Sequence, residues 1–232
     1  MKKPYLKKFC DVGEITCWIV DGNYIRNNIE EEFTNYGHHF RFNFIPEKEV
    51  WIDHENSEGE GRFYLCNVLK IIRTINEGKS YKQAVEAGDK AEKHERKKSE
   101  IAKNANKKMS KGKSILNEIY KKQIKIKNSD IKVSIINGEA VRDYFFLDFT
   151  EGGHDKVYHF IPQGEIWIDD DLKKKEIKFV LLHEIHERNL MAKGWSYEKA
   201  HIDSSRIEFF CRHHPKKTEK MLDLEFKKAK IY

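Results

Sequence analysis

The sequence predicts an α+β fold made of two copies of one small unit, each running strand, helix, hairpin, helix, helix. Three observations predict it. Sliding the 232-residue chain along itself by 116 positions aligns 18–98 with 134–214 without a gap, and 23 of the 81 pairs are identical. FIPEKEVWID at 44–53 returns as FIPQGEIWID at 160–169, and EFTNYGH at 32–38 as DFTEGGH at 148–154. Short β-branched runs bounded by turn residues alternate in each copy with longer runs of helical period, the pattern of mixed strands and helices. A spacing this long exceeds a solenoid repeat, so it implies two domains rather than an array.

Each element follows in order. In the second copy 133–136 reads as a short strand reaching an Asn137-Gly138 turn, matched by Asp21-Gly22 in the first. The segment 140–149 reads ambiguously by itself, and its counterpart in the first copy is expected to be helical, on the period of RNNIEEEF at 26–33. After Gly152-Gly153, residues 157–161 and 165–168 read as a hairpin turning at Pro162-Gln163-Gly164. A long helix is expected over 174–193, stopped by Gly194, and Ser196 is placed to cap a second helix reaching 212. Residues 99–128 read as helix with Ile115, Leu116, Ile119 and Tyr120 as its apolar stripe. LNEIYKK at 116–122 is echoed by LDLEFKK at 222–228, so each copy is expected to end in a similar helix. The expected organisation is a degenerate, non-catalytic repeat over 1–98, a basic helical linker over 99–131 and a metal-binding, catalytic repeat over 132–232.

Composition narrows the class. Apolar residues make up 39% and charged residues 35%, which is enough for small cores and too patterned for a disordered chain. No run approaches the roughly 18 apolar residues of a membrane span. The opening MKKPYLKKFCDVGEITCW has lysines but no apolar stretch after them, so a cytoplasmic protein is expected. Cys10, Cys17, Cys66 and Cys211 form no CxxC pair and read as reduced, packed thiols. The net charge of +6 is concentrated: 89–128 holds 14 Lys or Arg against 5 Asp or Glu, a net of +9, which leaves the rest at −3. That segment is a possible nucleic-acid contact, and equally a solvated helix.

The two copies serve as an internal control. Trp51/Trp167, Pro46/Pro162, Asp53/Asp169, His38/His154, Tyr81/Tyr197 and Glu92/Glu208 occur in both and belong to the scaffold. In the long helix the second copy reads FVLLHEIHERNLM at 179–191 where the first reads FYLCNVLKIIRTI at 63–75. His183, Glu184, His186 and Glu187 thus stand opposite Asn67, Val68, Lys70 and Ile71, and His201 stands opposite Val85. At about 100° per residue, Glu187 falls about 40° from His183, with Phe179, Leu190, Val180 and Met191 around them. Lys178, Arg188 and Asn189 are expected on the far, solvent side. A carboxylate on an apolar face is costly unless it is paired or bound to a metal.

EIWIDDDLKKKEIKFVLLHEIHE at 165–187 resembles the strand, loop and active-site helix of the zincin metallopeptidases, whose helix carries HExxH. His183 and Glu184 match its first two positions, while Glu187 replaces the second His and gives HExxE. Glu is an acceptable zinc ligand at the same i, i+4 spacing. The resemblance implies one divalent metal, zinc first and Mn²⁺ or Fe²⁺ for a carboxylate-richer set. It implies His183 and Glu187 as ligands, a third ligand from the next helix, and Glu184 as general base on an activated water. His201 is expected as that third ligand, with Glu208 second because Glu92 and an i, i+4 pairing to Arg212 already explain it. His186 is left as an accessory group, an oxyanion donor or a substitute ligand. Asp169-Asp170-Asp171 reads as a helix cap before a metal site, His154 as structural, and Cys211, His213 and His214 as no ligand set. Two functions follow: a metal-dependent hydrolase acting on peptide or protein, or a non-enzymatic duplicated binding module for nucleic acid or a protein partner, with a structural metal or a buried His–Glu pair.

Overall fold

The computed structural model describes residues 4–55, 59–109, 114–127 and 129–229. It divides into two compact units, Met1–Lys113 with Arg142–Leu147, and Ser114–Val141 with Asp148–Tyr232. The first unit runs β1 (Tyr5–Val12), β2 (Ile15–Val20), α1 (Gly22–Asn28), β3 (Tyr36–His38), β4 (Glu49–Asp53), α2 (Gly61–Asn76), α3 (Tyr81–Arg96) and α4 (Glu100–Met109). The stretch from 114 runs α5 (Leu116–Ile119), β5 (Tyr120–Ile124), β6 (Lys132–Ile136), α6 (Gly138–Tyr144), β7 (Gly152–His154), β8 (Glu165–Asp169), α7 (Ile177–Ala192), α8 (Tyr197–His213) and α9 (Thr218–Lys228).

The two sheets have the same order, β1-β2-β4-β3 and β5-β6-β8-β7, with the central pair parallel and both outer pairs antiparallel. Alternation along the strands explains how each sheet is covered. Ile166 and Ile168 on β8 enter the core beneath α7 with Leu181, Leu182 and Ile185, while Trp167 between them faces the other side. Val50 and Ile52 on β4 do the same beneath α2, and Trp51 turns away. Each aliphatic side chain so buried contributes ~1.5–3 kcal/mol. The Trp faces are pinned alike: Tyr5 and Trp51 both donate to Glu49, as Tyr120 and Trp167 do to Glu165.

Several expectations change. The first hairpin strand is Gly152–His154, not 157–161, because 155–164 folds back as a turn-rich loop closed by Asp155 accepting from the Gly164 N–H. Residues 120–124 form an edge strand rather than helix, so LNEIYKK opens the second unit instead of closing the first. The Asn137-Gly138 turn is the start of α6, with Asn137 accepting from the Ala140 N–H as Asp21 does from Tyr24 in α1. Asp170 accepts from the Gly138 N–H, so the acidic loop ties the start of α6, and Glu176, the N-cap of α7, makes no side-chain cap bond. Helix α7 ends at Ala192, and Gly194, two residues on, turns the chain with a φ of 91° that suits glycine. Two of the three residues expected on the solvent side of α7 are buried: Arg188 is fully enclosed on Asp155, and Asn189 donates to the backbone oxygen and carboxylate of Glu225 on α9, while Lys178 is partly exposed. Helix α9 and the 155–164 loop cover what the helical period alone assigns to water.

Candidate metal centre

Helix α7 carries His183, Glu184 and Glu187, and α8, packed along it after the Gly194 turn, carries His201 and Glu208. Four residues is about one turn, so His183 and Glu187 share a side of α7. Opposite them comes His201, one turn into α8. His183 Nε2 lies 3.1 Å from His201 Nδ1 and 3.5 Å from Glu187 Oε2, and His201 Nδ1 lies 2.9 Å from the same oxygen. Three ligands at zinc bond lengths of about 2.0–2.1 Å around a tetrahedron stand about 3.3 Å apart. Two imidazoles and one carboxylate at that spacing fit a divalent cation, and the chemistry of the donor set is that of a three-ligand site.

The groups behind these ligands decide which atoms are presented. Glu208 Oε2 lies 2.9 Å from His183 Nδ1 and holds that side of the ring, which turns the Nε2 atom to the centre. Glu208 is itself held by Arg212 at 2.6 and 3.0 Å, and Arg212 is paired with Glu176 at the start of α7. Glu208 therefore orients His183 and does not enter the ligand triangle. His154 from edge strand β7 meets the far oxygen of Glu187, Nε2 to Oε1 at 3.0 Å. His154, Glu184 and Glu187 also lie within ligand reach of one another. His154 Nδ1, however, accepts the Lys156 backbone N–H, so the ring proton sits on Nε2 and is donated to Glu187. A protonated nitrogen offers no lone pair, and His154 acts as the orienting group of Glu187.

Electrostatics follow from this packing. Burial works to raise the Glu187 carboxyl, but hydrogen bonds from His154, His183 and His201 hold it far below the usual carboxylate range. Burial also opposes charge on His183, yet Glu187 and Glu208 lift its pKa well above the ordinary value. Glu208 is brought down to about 2 despite its burial, by the His183 hydrogen bond and the Arg212 charge. Among the described residues, no such donors reach Glu184. Burial first, and the Glu187 charge second, push its carboxyl up to about 8. The site thus pairs a carboxylate held ionised with one that readily takes a proton. Glycine at 152 lets β7 run close to Glu184: a Cβ there would stand 3.2 Å from Glu184 Cγ and Oε1.

The structure brings together His183, Glu187 and His201, with Glu184 beside them and Glu208 behind. It does not bring in His186, which points to Asp203 on α8 at 3.0 Å and Glu225 on α9 at 3.3 Å. Cys211 is buried against Met221, while the Nδ1 atoms of exposed His213 and His214 turn back to the Phe209 and Phe210 carbonyls, so the three converge on nothing. The residues that sequence reasoning misses are His154, Glu176 and Gly152. His154 and Glu176 match His38 and Glu60, so their presence in both copies hides their service to the site; Gly152 stands where the first copy has Tyr36 and is a legible signal. Comparison of the chain with family models, with curated proteins and with solved structures returns no match.

Proposed function

We propose that the second unit is a metal-dependent hydrolase of zincin-like type, with His183, Glu187 and His201 holding one divalent cation, zinc in the first instance and manganese or iron as alternatives. The observation that carries this is the convergence of His183 Nε2, His201 Nδ1 and Glu187 Oε2 at ligand spacing, with Glu184 alongside. A bound cation would lower the pKa of water and polarise a carbonyl. The chain's own residues supply the rest. Glu184 takes the proton of the attacking water on its carboxylate and returns it to the leaving amine. Glu208 and His154 hold His183 and Glu187 in place, so that little reorganisation is needed on binding. Strand β7 ends its sheet next to Glu184, and an extended peptide can add to such an edge, which favours a peptide or protein substrate.

The competing reading, a binding module whose His–Glu cluster serves structure alone, is favoured by one observation: the first unit keeps the carboxylate–arginine framework without any of the ligands. Elemental analysis of purified wild type beside His183→Ala and His201→Ala separates the two. About one equivalent of metal in wild type, lost in both variants, supports the metal centre and its ligand set, and activity then separates a hydrolase from a structural metal. Glu184→Gln is then expected to keep the metal and fold while lowering peptide hydrolysis by ~10²–10⁴-fold. A wild type that takes up no zinc, manganese or iron would leave the structural reading.

A further inference from the structure

Two thiols of the first unit face each other across a strand pair. Cys10 on β1 and Cys17 on β2 are directly opposed in antiparallel register, which turns both side chains to the same face of the sheet. Opposed residues in such a pair have Cα atoms about 4.5–5.5 Å apart, within the ~4.4–6.8 Å that a disulfide bridges. Cys10 packs on the core cluster that contains Cys17, the two thiols are hydrogen-bonded to each other, and both are free. Packing does not require them. In the second unit the matching opposed pair is Ile124 and Val133, so aliphatic side chains fill the same place. Cys66 on α2 has no such register with either.

We propose that Cys10 and Cys17 are a redox-reversible disulfide site that fastens edge strand β1 to β2. Cys17 is fully buried and Cys10 is only half-buried, so Cys10 is the entry point. The oxidant is a low-molecular-weight disulfide such as oxidised glutathione. The Cys10 sulfur, as thiolate, attacks one sulfur of that disulfide, forming a mixed disulfide and releasing one small thiol, which carries the proton lost by Cys10. Cys17 then loses its proton and attacks the Cys10 sulfur, expelling the second small thiol. Two protein thiols are oxidised and one external disulfide is reduced to two thiols. Burial, and next the neighbouring Cys10, push the Cys17 thiol up to about 12. The second of these contributions disappears once Cys10 is held in a neutral mixed disulfide, so the closing step is eased by the opening one.

The test equilibrates the full chain with graded ratios of oxidised to reduced glutathione, traps free thiols with iodoacetamide and digests with trypsin. Both cysteines fall in one tryptic peptide, 9–26. The expected result is that this peptide becomes lighter by two hydrogens and unreactive to the trap. Titratable thiols of the denatured chain fall from 4 to 2, and reduction restores them. Cys10→Ser is expected to keep all its remaining thiols under the same oxidation, whereas Cys17→Val, a copy of Val133 in the second unit, is expected to stop with Cys10 in the mixed disulfide and to form no intrachain bond. The proposal is overturned if all 4 thiols persist at the most oxidising ratio, if Cys10 stops at the mixed disulfide, or if the bond formed joins Cys66 or two chains.

Discussion

The two units carry one framework with two different endings. In the first, Glu60 accepts from Arg96, Arg96 donates to Glu92, and Glu92 accepts from the side-chain amide of Asn67 at 2.8 Å. In the second, Glu176, Arg212 and Glu208 repeat the relay, and the last donor is His183 Nδ1 at 2.9 Å. Asparagine satisfies the relay and ends it; histidine satisfies it and presents a second nitrogen beyond. Around that point the first unit is filled. Ile71 replaces Glu187, Val85 replaces His201, and Tyr36 takes the place of Gly152 and stacks on Tyr64 with centroids 4.8 Å apart. His38, the counterpart of His154, is left buried with no hydrogen-bond partner for its Nδ1 among the described residues and its pKa lowered to about 4, chiefly by burial. A buried ion-paired framework therefore serves the fold in both units, and what differs between them is the side chain hung at its end.

That comparison can be broken most sharply by His183→Asn, which copies the first unit into the second. Because Asn67 shows that an asparagine amide makes the same bond, the variant is expected to fold normally and to lose its metal, from about one equivalent to none by elemental analysis. Retention of metal would remove His183 from the ligand set. Next in size are Arg96→Met and Arg212→Met. Each strands buried carboxylates and is expected to cost ~3–5 kcal/mol in denaturant unfolding. Only Arg212→Met should also weaken metal binding, and equal metal affinity in both variants would show that the relay does not reach the site.

A smaller effect is expected for Glu208→Gln, which weakens the orientation of His183 and should cost ~10–100-fold in metal affinity by competition with a chelator. Glu92→Gln in the first unit is its control and should cost none. The smallest concerns His186. Burial opposes its charge, but Glu225 and Asp203 outweigh that and raise its pKa above 6.5. A raised folded pKa means that the stabilisation is fully present below the unfolded value near 6.5 and is lost as pH climbs through the folded value. Urea midpoints of wild type and His186→Gln should differ at pH 6 and converge in the alkaline range. A gap that stays constant with pH would mean that His186 contributes by packing alone.

Legibility is uneven, and the unevenness has a cause. The helix period places His183 and Glu187 together because both lie on one α-helix, where spacing is geometry. His201 stands out because Val85 in the first copy removes any scaffold explanation. The same logic hides His154, since presence in both copies marks a residue as scaffold even when it also steadies Glu187. It also favours His186, absent from the first copy yet spent on tying α7 to α8 and α9. Strand β5 reads as helix because its lysines, in YKKQI, sit on an exposed edge strand without the alternation that a half-buried strand shows.

The sequence by itself determined the repeat, the α+β class, the two long helices with their Gly194 stop, and the residues peculiar to the second copy. These are local or internal properties, set by periodicity, turn chemistry and self-comparison. Tertiary structure alone decided that Arg188 and Asn189 are buried rather than solvated, that Glu208 stands behind His183 rather than beside it, and that β7 rather than 157–161 pairs with β8. Each of those depends on an element distant in the chain covering a face or supplying a partner, and the period of one helix or strand carries no record of what packs against it.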